Sequence, residues 1–351
     1  MVSEMTTWVC EQPGSLIKKS SPIPQPAAGQ ALIRLRALGI CGTDVHAFRG
    51  NQPMFDYPKI MGHEICGEVV KAADDVEHLP IGQAVIVIPY KHCGECYACQ
   101  RGRITCCTKL SVMGVHYHGA MQEYVAVDAK QLLAVDDIDV RDAALIEPYA
   151  IGAHALARSG AKQGDTLLVV GAGAIGLGVA DIASALGINI ILAEVNEGRL
   201  SEACGRFGYL HALNPLAVDY AGRLKAITEG HGPGFIIDAT GNAASMNSQV
   251  EHLAASGTIV FVGLHKGEIS FNDLAFHKRE TTMLASRAAD IQDFEQVIAL
   301  MATKRIHPEL LRDNIFPFNE LSQSAFSDMT QPKNIKTVIE FDNTGDVDRP
   351  E

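Results

Sequence analysis

Residues 165–194 read DTLLVVGAGAIGLGVADIASALGINIILAE, and the order of features in them decides how the second half of the chain folds. Asp165–Val170 is a short apolar run of the kind buried on both faces of a sheet. Gly171, Gly173 and Gly176 follow at once in the spacing G-x-G-x-x-G, at the mouth of a helical stretch, Ala174–Leu186. A second apolar strand, Asn189–Glu194, closes the unit. Gly171 permits the tight turn, Gly173 lets backbone approach a pyrophosphate, and Gly176 lets the helix pack on the sheet. The free N–H groups at the helix N-terminus suit phosphate oxygens. Glu194 ends the second strand, where a carboxylate accepts hydrogen bonds from ribose hydroxyls and repels a 2′-phosphate. NAD is therefore expected over NADP. Arg199 lies close behind, as a counter-ion to such a phosphate or a face for adenine.

The alternation continues outward from this unit. Helix 198–207, strand 234–239, helix 243–254 and strand 257–262 extend it, and it is expected to end near Thr281. That rhythm predicts a doubly wound parallel sheet covered by helices, a Rossmann-type α/β domain over residues 151–284. Residues 1–150 instead carry short strands such as Ala31–Ala37, Ala84–Pro89 and Gly119–Val127 among many glycines and prolines, which predicts an irregular β domain. Residues 285–351 are expected to return to that first domain through a helix at 291–303 and a last strand, Lys336–Phe341. The tail Asn343–Glu351 is expected to be disordered.

Bulk properties agree with a soluble two-domain protein: 351 residues, 47% hydrophobic and 20% charged. A formal charge of −12 argues against nucleic acid or an anionic membrane as partner, and no apolar run is long enough for a membrane span. Nine cysteines without a recognisable leader predict a reducing, cytoplasmic setting.

Four of those cysteines, Cys93, Cys96, Cys99 and Cys107, fall in a lobe at about 91–110. Thiolates at this pitch converge on one cation, with zinc–sulfur distances of about 2.3 Å. A closed four-sulfur shell leaves no open position, so this zinc would be structural. Cys106 competes with Cys107 for the fourth place, and spacing favours Cys107. A second centre is suggested by Cys41 in GICGTDVH (39–46) and His63 in GHE (62–64), both in glycine-dense backbone. The candidate third protein ligand is a carboxylate, either Glu64 beside His63 or Glu147 in LIEPYAIG.

The segments GICGTDVH, GHE, the four-cysteine lobe, EP and GAGAIG stand in the order found in the zinc-dependent medium-chain alcohol and polyol dehydrogenases. Nearly the whole chain resembles that family. The resemblance implies a GroES-like β catalytic domain beside the Rossmann domain, two zinc ions per chain, NAD as cofactor, and a homodimer or homotetramer. It implies that Cys41 and His63 bind a catalytic zinc with Glu64, or Glu147 directly or through water. It implies that Thr43 and His46 form a proton relay, and that Ala174, Ile175, Val262–Leu264 with Gly263, and Ser286–Arg287 line the NAD site. Zinc would act as a Lewis acid on the substrate alcohol, and the nicotinamide would carry the electrons.

Narrower segments, GNQPMFDYP (50–58), SVMGVHYHGA (111–120), FVGLHKGE (261–268), FHKRETTM (276–283) and ASRAA (285–289), resemble the bacterial hexonate 5-dehydrogenase branch. That implies oxidation of a sugar acid at C5, L-galactonate to D-tagaturonate or L-gulonate to D-fructuronate. Asn51, Gln52, His116, His118, Lys278 and Arg287 are the candidate substrate groups, with a cation to hold the carboxylate. A polyol or L-threonine dehydrogenase is the alternative on the same scaffold. A non-enzymatic binding protein fits poorly with Cys41, Thr43, His46, His63 and the nucleotide glycines all present.

Overall fold

The computed structural model describes residues 4–329, 331 and 334–341, so the tail Asn343–Glu351 lies outside the described residues. The chain divides into two compact units, Met1–Glu147 with Arg312–Glu351, and Pro148–Leu311.

The first unit is built on a seven-stranded sheet. Gln30–Gly39 is central to it, pairing with Glu64–Ala72, Tyr124–Asp128 and Thr337–Glu340, all antiparallel. The alternation in ALIRLRA has its physical meaning here. Ile33 and Leu35 are buried in the core, while Arg34 and Arg36 reach Glu68 on the neighbouring strand at 2.9 and 3.0 Å. The apolar face packs against Ile65, Val69, Met121 and Phe326. Part of Gly119–Val127 is strand, but only from Tyr124. Residues 119–121 instead donate their N–H groups to the carbonyls of Ile60, Gly62 and Met61. Gly119 is packed so closely on Met61 and Gly62 that a Cβ there would lie 2.4 Å from the Gly62 carbonyl.

The second unit holds a six-stranded parallel sheet in the spatial order His211–Leu213, Asn189–Ala193, Thr166–Val170, Phe235–Asp238, Thr258–Phe261, Thr282–Ala285. This is the doubly wound Rossmann order, with the reversal beside the central strand Thr166–Val170. The alternation does not stop at Thr281 as expected: Thr282–Ala285 adds the sixth strand. The return to the first unit likewise comes at Arg312 rather than residue 285. Side chains of helix Ile146–Ser159 hold the intervening segment in the second unit. His154 Nδ1 lies 2.8 Å from Asp293 Oδ2, and Arg158 Nε donates to the Ala285 carbonyl at 2.7 Å. No helix among the described residues is long and apolar enough to cross a membrane.

Candidate active site

Strand register alone assembles the first centre. Gly39 is paired with Glu64 across two strands, so Cys41, just past the end of one, meets His63 and Glu64 at the start of the other. The last strand pairs Val338 with Gly39, and Ile40 donates its N–H to the Thr337 carbonyl at 3.0 Å, which brings Lys336 alongside. Ligand atoms of Cys41, His63 and Glu64 all lie within 4.8 Å of one another. Gly39 has to lack a side chain, because a Cβ there would stand 2.0 Å from Glu64 Oε2.

Helix Gly42–Phe48 starts immediately after Cys41 and carries Thr43 and His46 one turn apart; Thr43 is half-buried and His46 exposed. Asp44, which the sequence reading passed over, braces the centre. One carboxylate oxygen accepts the Cys41 N–H at 3.0 Å and the other accepts the Gly62 N–H at 3.0 Å. Its place at the third position of the helix, reaching back to the residue before it, was the signal that could have found it.

Glu64 is wholly buried and forms an ion pair with the equally buried Lys336, Nζ to Oε1 at 2.5 Å, while Nζ also donates to the Ile40 carbonyl at 3.1 Å. Burial by itself would lower the Lys336 pKa, but Glu64 and Cys41 raise it, so the ammonium stays charged. Glu147 lies outside the 4.8 Å group and is buried nearby, with Oε1 accepting a hydrogen bond from the Tyr90 hydroxyl. Burial pushes its carboxyl up to about 6, against the pull of His63. Burial would lower the His63 pKa, but Asp44, Cys41 and Glu147 together raise it well above the ordinary imidazole value. Three buried atoms here have no hydrogen-bond partner: His63 Nδ1, Glu64 Oε2 and Glu147 Oε2. Orphaned buried acceptors are costly, and a thiol, an imidazole and bare carboxylate oxygens are the donor set zinc prefers. The residues fit a zinc ion.

Cys93, Cys96, Cys99 and Cys107 form the second group, with Cys93 Sγ 3.5 Å from Cys107 Sγ and Cys96 Sγ 3.5 Å from Cys99 Sγ. Backbone N–H groups are aimed at these sulfurs, Cys93 N to Cys107 Sγ at 3.3 Å and Cys96 N to Cys93 Sγ at 3.4 Å. Backbone hydrogen bonds at Cys99 and Thr108 draw the Cys96 thiol down and that from Cys93 lowers Cys107, while burial and the Cys96 hydrogen bond push Cys99 up. Sulfurs so gathered, two of them stabilised as thiolates by backbone N–H groups, form a ready metal-binding shell. Cys106 is exposed and outside the group. A third cluster, His154, Asp290 and Asp293, is a helix cap: Asp290 accepts the Gln292 and Asp293 N–H groups, and Asp293 accepts that of Asp290.

In the second unit the glycine turn lies between strand Thr166–Val170 and helix Ala174–Ala185. Gly171 has φ +99, and a Cβ on Gly176 would stand 1.9 Å from the Gly171 carbonyl. Over Gly173, by contrast, nothing lies within 4 Å of a Cβ position, which leaves room for a phosphate. Glu194 is buried. Its oxygens accept the N–H groups of Ala172 in the glycine turn and of Asn196 at the cap of the next helix, each at 2.9 Å. Arg199 sits in the first turn of helix Glu197–Phe207, its N–H bonded to Asn196 Oδ1 at 2.9 Å. Val262, Gly263 and Leu264 follow one parallel strand and Ser286 and Arg287 another, so all stand at the C-terminal edge of the sheet, where dinucleotides bind. Ser286 Oγ is buried without a partner.

The expected substrate groups are dispersed between the units. Asn51 is exposed and Gln52 half-buried in the first. The exposed His116 and His118 each accept a backbone N–H at Nδ1, from Val112 at 3.0 Å and Ile60 at 3.2 Å. Lys278 and Arg287 are exposed in the second.

Comparison with known proteins gives two family matches, an alcohol dehydrogenase GroES-like domain at residues 27–137 and a zinc-binding dehydrogenase domain at residues 174–303. The chain is 45% identical to the L-galactonate-5-dehydrogenase of Escherichia coli K12, over 97% of this chain and 100% of that protein. It is 30% identical to the 2-dehydro-3-deoxy-L-galactonate 5-dehydrogenase of Pseudoalteromonas atlantica, over 90% and 92%. Among solved structures, an alcohol dehydrogenase from E. coli CFT073 complexed with NADH matches with TM-score 0.89 and 30% identity, over 97% of this chain and 100% of that one.

Proposed function

The chain belongs to the zinc-binding alcohol dehydrogenases, and from that premise we propose that it oxidises C5 of a hexonate with NAD, L-galactonate to D-tagaturonate first, with L-gulonate to D-fructuronate as the close alternative. One observation carries the site: Cys41, His63 and Glu64 converge within 4.8 Å, with His63 Nδ1 and Glu64 Oε2 buried and bare. These three hold the catalytic zinc, with Glu147 as the outer carboxylate, and Cys93, Cys96, Cys99 and Cys107 hold the structural one. When bound, zinc supplies Lewis acidity toward the substrate hydroxyl and the nicotinamide accepts the hydride. Thr43 Oγ1 accepts the substrate hydroxyl proton as it gives up its own toward His46, one turn further along the same helix and open to water, which releases a proton to solvent. Asp44 keeps Cys41 and the backbone before His63 in register while this happens.

Glu194 receives the ribose hydroxyls and disfavours a 2′-phosphate, so NAD is the working cofactor. The relative solved with NADH supports this. The sugar-acid names of both curated relatives support a carboxylate-bearing substrate. Since the chain is acidic overall, a local cation must hold that carboxylate, and Arg287, then Lys278, are the groups proposed. A cytoplasmic setting suits nine free cysteines, and a homodimer or homotetramer is the proposed assembly, to be read by light scattering.

The decisive experiment assays L-galactonate, L-gulonate, a hexitol and L-threonine with NAD by NADH absorbance, for the unaltered enzyme and for Arg287→Ala and Lys278→Ala. Loss of a charge-assisted contact should lower kcat/KM for the hexonate by roughly one to two powers of ten and leave the hexitol little changed. Hexitol or threonine outperforming both hexonates would sink the substrate assignment, and equal losses on acid and hexitol would remove Arg287 or Lys278 from it.

A further inference from the structure

The two buried carboxylates at the Cys41–His63 centre are held by chemically different partners. Glu64 is paired with an ammonium, which cancels its charge. Glu147 is held by a phenol, which orients the carboxylate and leaves its charge intact. We propose that Tyr90 is a positioning residue for the catalytic metal, acting through Glu147, and this rests on the functional reading above.

The geometry behind this is one of unequal anchorage. Tyr90 is clamped: strand Tyr90–Lys91 pairs with Ser111–Val112, and Met113 N–H donates to the Pro89 carbonyl at 2.9 Å. Ile88 N–H donates to the Gln131 carbonyl at 2.7 Å, and Lys91 Nζ reaches Asp128 at 3.0 Å. Cys93, which opens the four-cysteine lobe, follows closely in sequence. Glu147, by contrast, stands in the first turn of helix Ile146–Ser159 as the last residue of its unit, and its side chain has three rotatable bonds. The Tyr90 hydroxyl therefore transfers the fixed position of the sheet and lobe to a carboxylate that its own backbone leaves free to turn. With Oε1 engaged, only Oε2 remains, buried and without a partner. That oxygen shares its want of a partner with His63 Nδ1 and Glu64 Oε2, the other orphaned buried atoms of the centre. A neutral donor fixes such an oxygen while leaving the carboxylate its formal charge, which an ammonium would cancel.

The test uses the full-length protein loaded with Co2+ in place of zinc, as unaltered chain, Tyr90→Phe, Glu147→Gln and the double variant. Chelator competition measures affinity, and the visible d–d absorption reports the ligand field at the Cys41 centre. Tyr90→Phe should weaken the more labile of the two metals on the order of tenfold to a hundredfold and change its band. Glu147→Gln should do the same, and the double variant should lose no more than Glu147→Gln alone. Tyr117→Phe, which removes a neighbouring phenol bonded to the Pro89 carbonyl, should leave affinity and band as they were. An unchanged affinity and band in Tyr90→Phe, or additive losses in the double variant, would overturn the proposal. If the unaltered protein takes up cobalt only in its four-cysteine lobe, the functional reading itself falls, and this one with it.

Discussion

Replacing Lys336 by Met should destabilise the metal-free protein and yet tighten its hold on zinc. The ammonium and the Glu64 carboxylate are both almost wholly buried and meet at 2.5 Å. Removing one partner of such a pair strands the other charge, at a cost of about 3–5 kcal/mol. With zinc bound, the stranded carboxylate faces a cation. The loss then shrinks to that of one hydrogen bond to a charged group, about 1.5–3 kcal/mol. The difference, roughly 1.5–2 kcal/mol, must appear as metal affinity, on the order of tenfold tighter. The single tryptophan, Trp8, is buried in the same unit, so urea unfolding read by its fluorescence reports the relevant core. Urea midpoints of metal-free and zinc-loaded protein, with chelator competition, complete the cycle. If Lys336→Met destabilises both forms equally, or weakens zinc binding, Glu64 serves the fold and does not face the metal.

The remaining predictions follow from other parts of the molecule. Cys93→Ser should remove one of two zinc ions by elemental analysis and lower the unfolding temperature, because metal that closes a lobe contributes folding free energy directly. Glu194→Ser should raise kcat/KM with NADP by removing repulsion of its 2′-phosphate while Arg199 stays available. A higher NADP efficiency in the unaltered enzyme would reverse the roles given to the two residues. The folded Glu147 carboxyl titrates at about 6 against an ordinary 4.5, through burial, so the native state binds that proton more tightly than the unfolded chain does. Its contribution is full below the ordinary value and is lost as pH rises through the folded one, about 2 kcal/mol in all. Urea midpoints of the metal-free protein should fall across that window, and Glu147→Gln should flatten the slope.

What the sequence made legible was local. The glycine turn and the cysteine lobe each lie within one short stretch, where spacing alone brings the groups together. Cys41 and His63 could be joined as one centre through their glycine-dense settings and the family resemblance, but only the Gly39–Glu64 register shows how they come to one sheet end. The same register places Glu64, and not Glu147, within 4.8 Å of both. Lys336 left no local signal, since its partner is 272 positions away. The strand Thr282–Ala285 was missed because it is short and only partly buried. It declares itself only by pairing with Thr258–Phe261.

The strand that brings Lys336 to Glu64 also has a bearing on synthesis. The first unit is discontinuous, closed by residues that follow the whole of the second. On a ribosome, Pro148–Leu311 is complete before Thr337–Glu340 can pair with Gln30–Gly39. The middle of the chain can therefore fold while the beginning waits, its sheet lacking the two strands at one side, Asn314–Pro317 and Thr337–Glu340. Until then Glu64 is an uncompensated carboxylate beside a thiol and an imidazole, and a metal ion arriving early meets no competing ammonium. Metal loading before and after the last strand pairs thus differ by one ammonium, the one that Lys336 sets against Glu64.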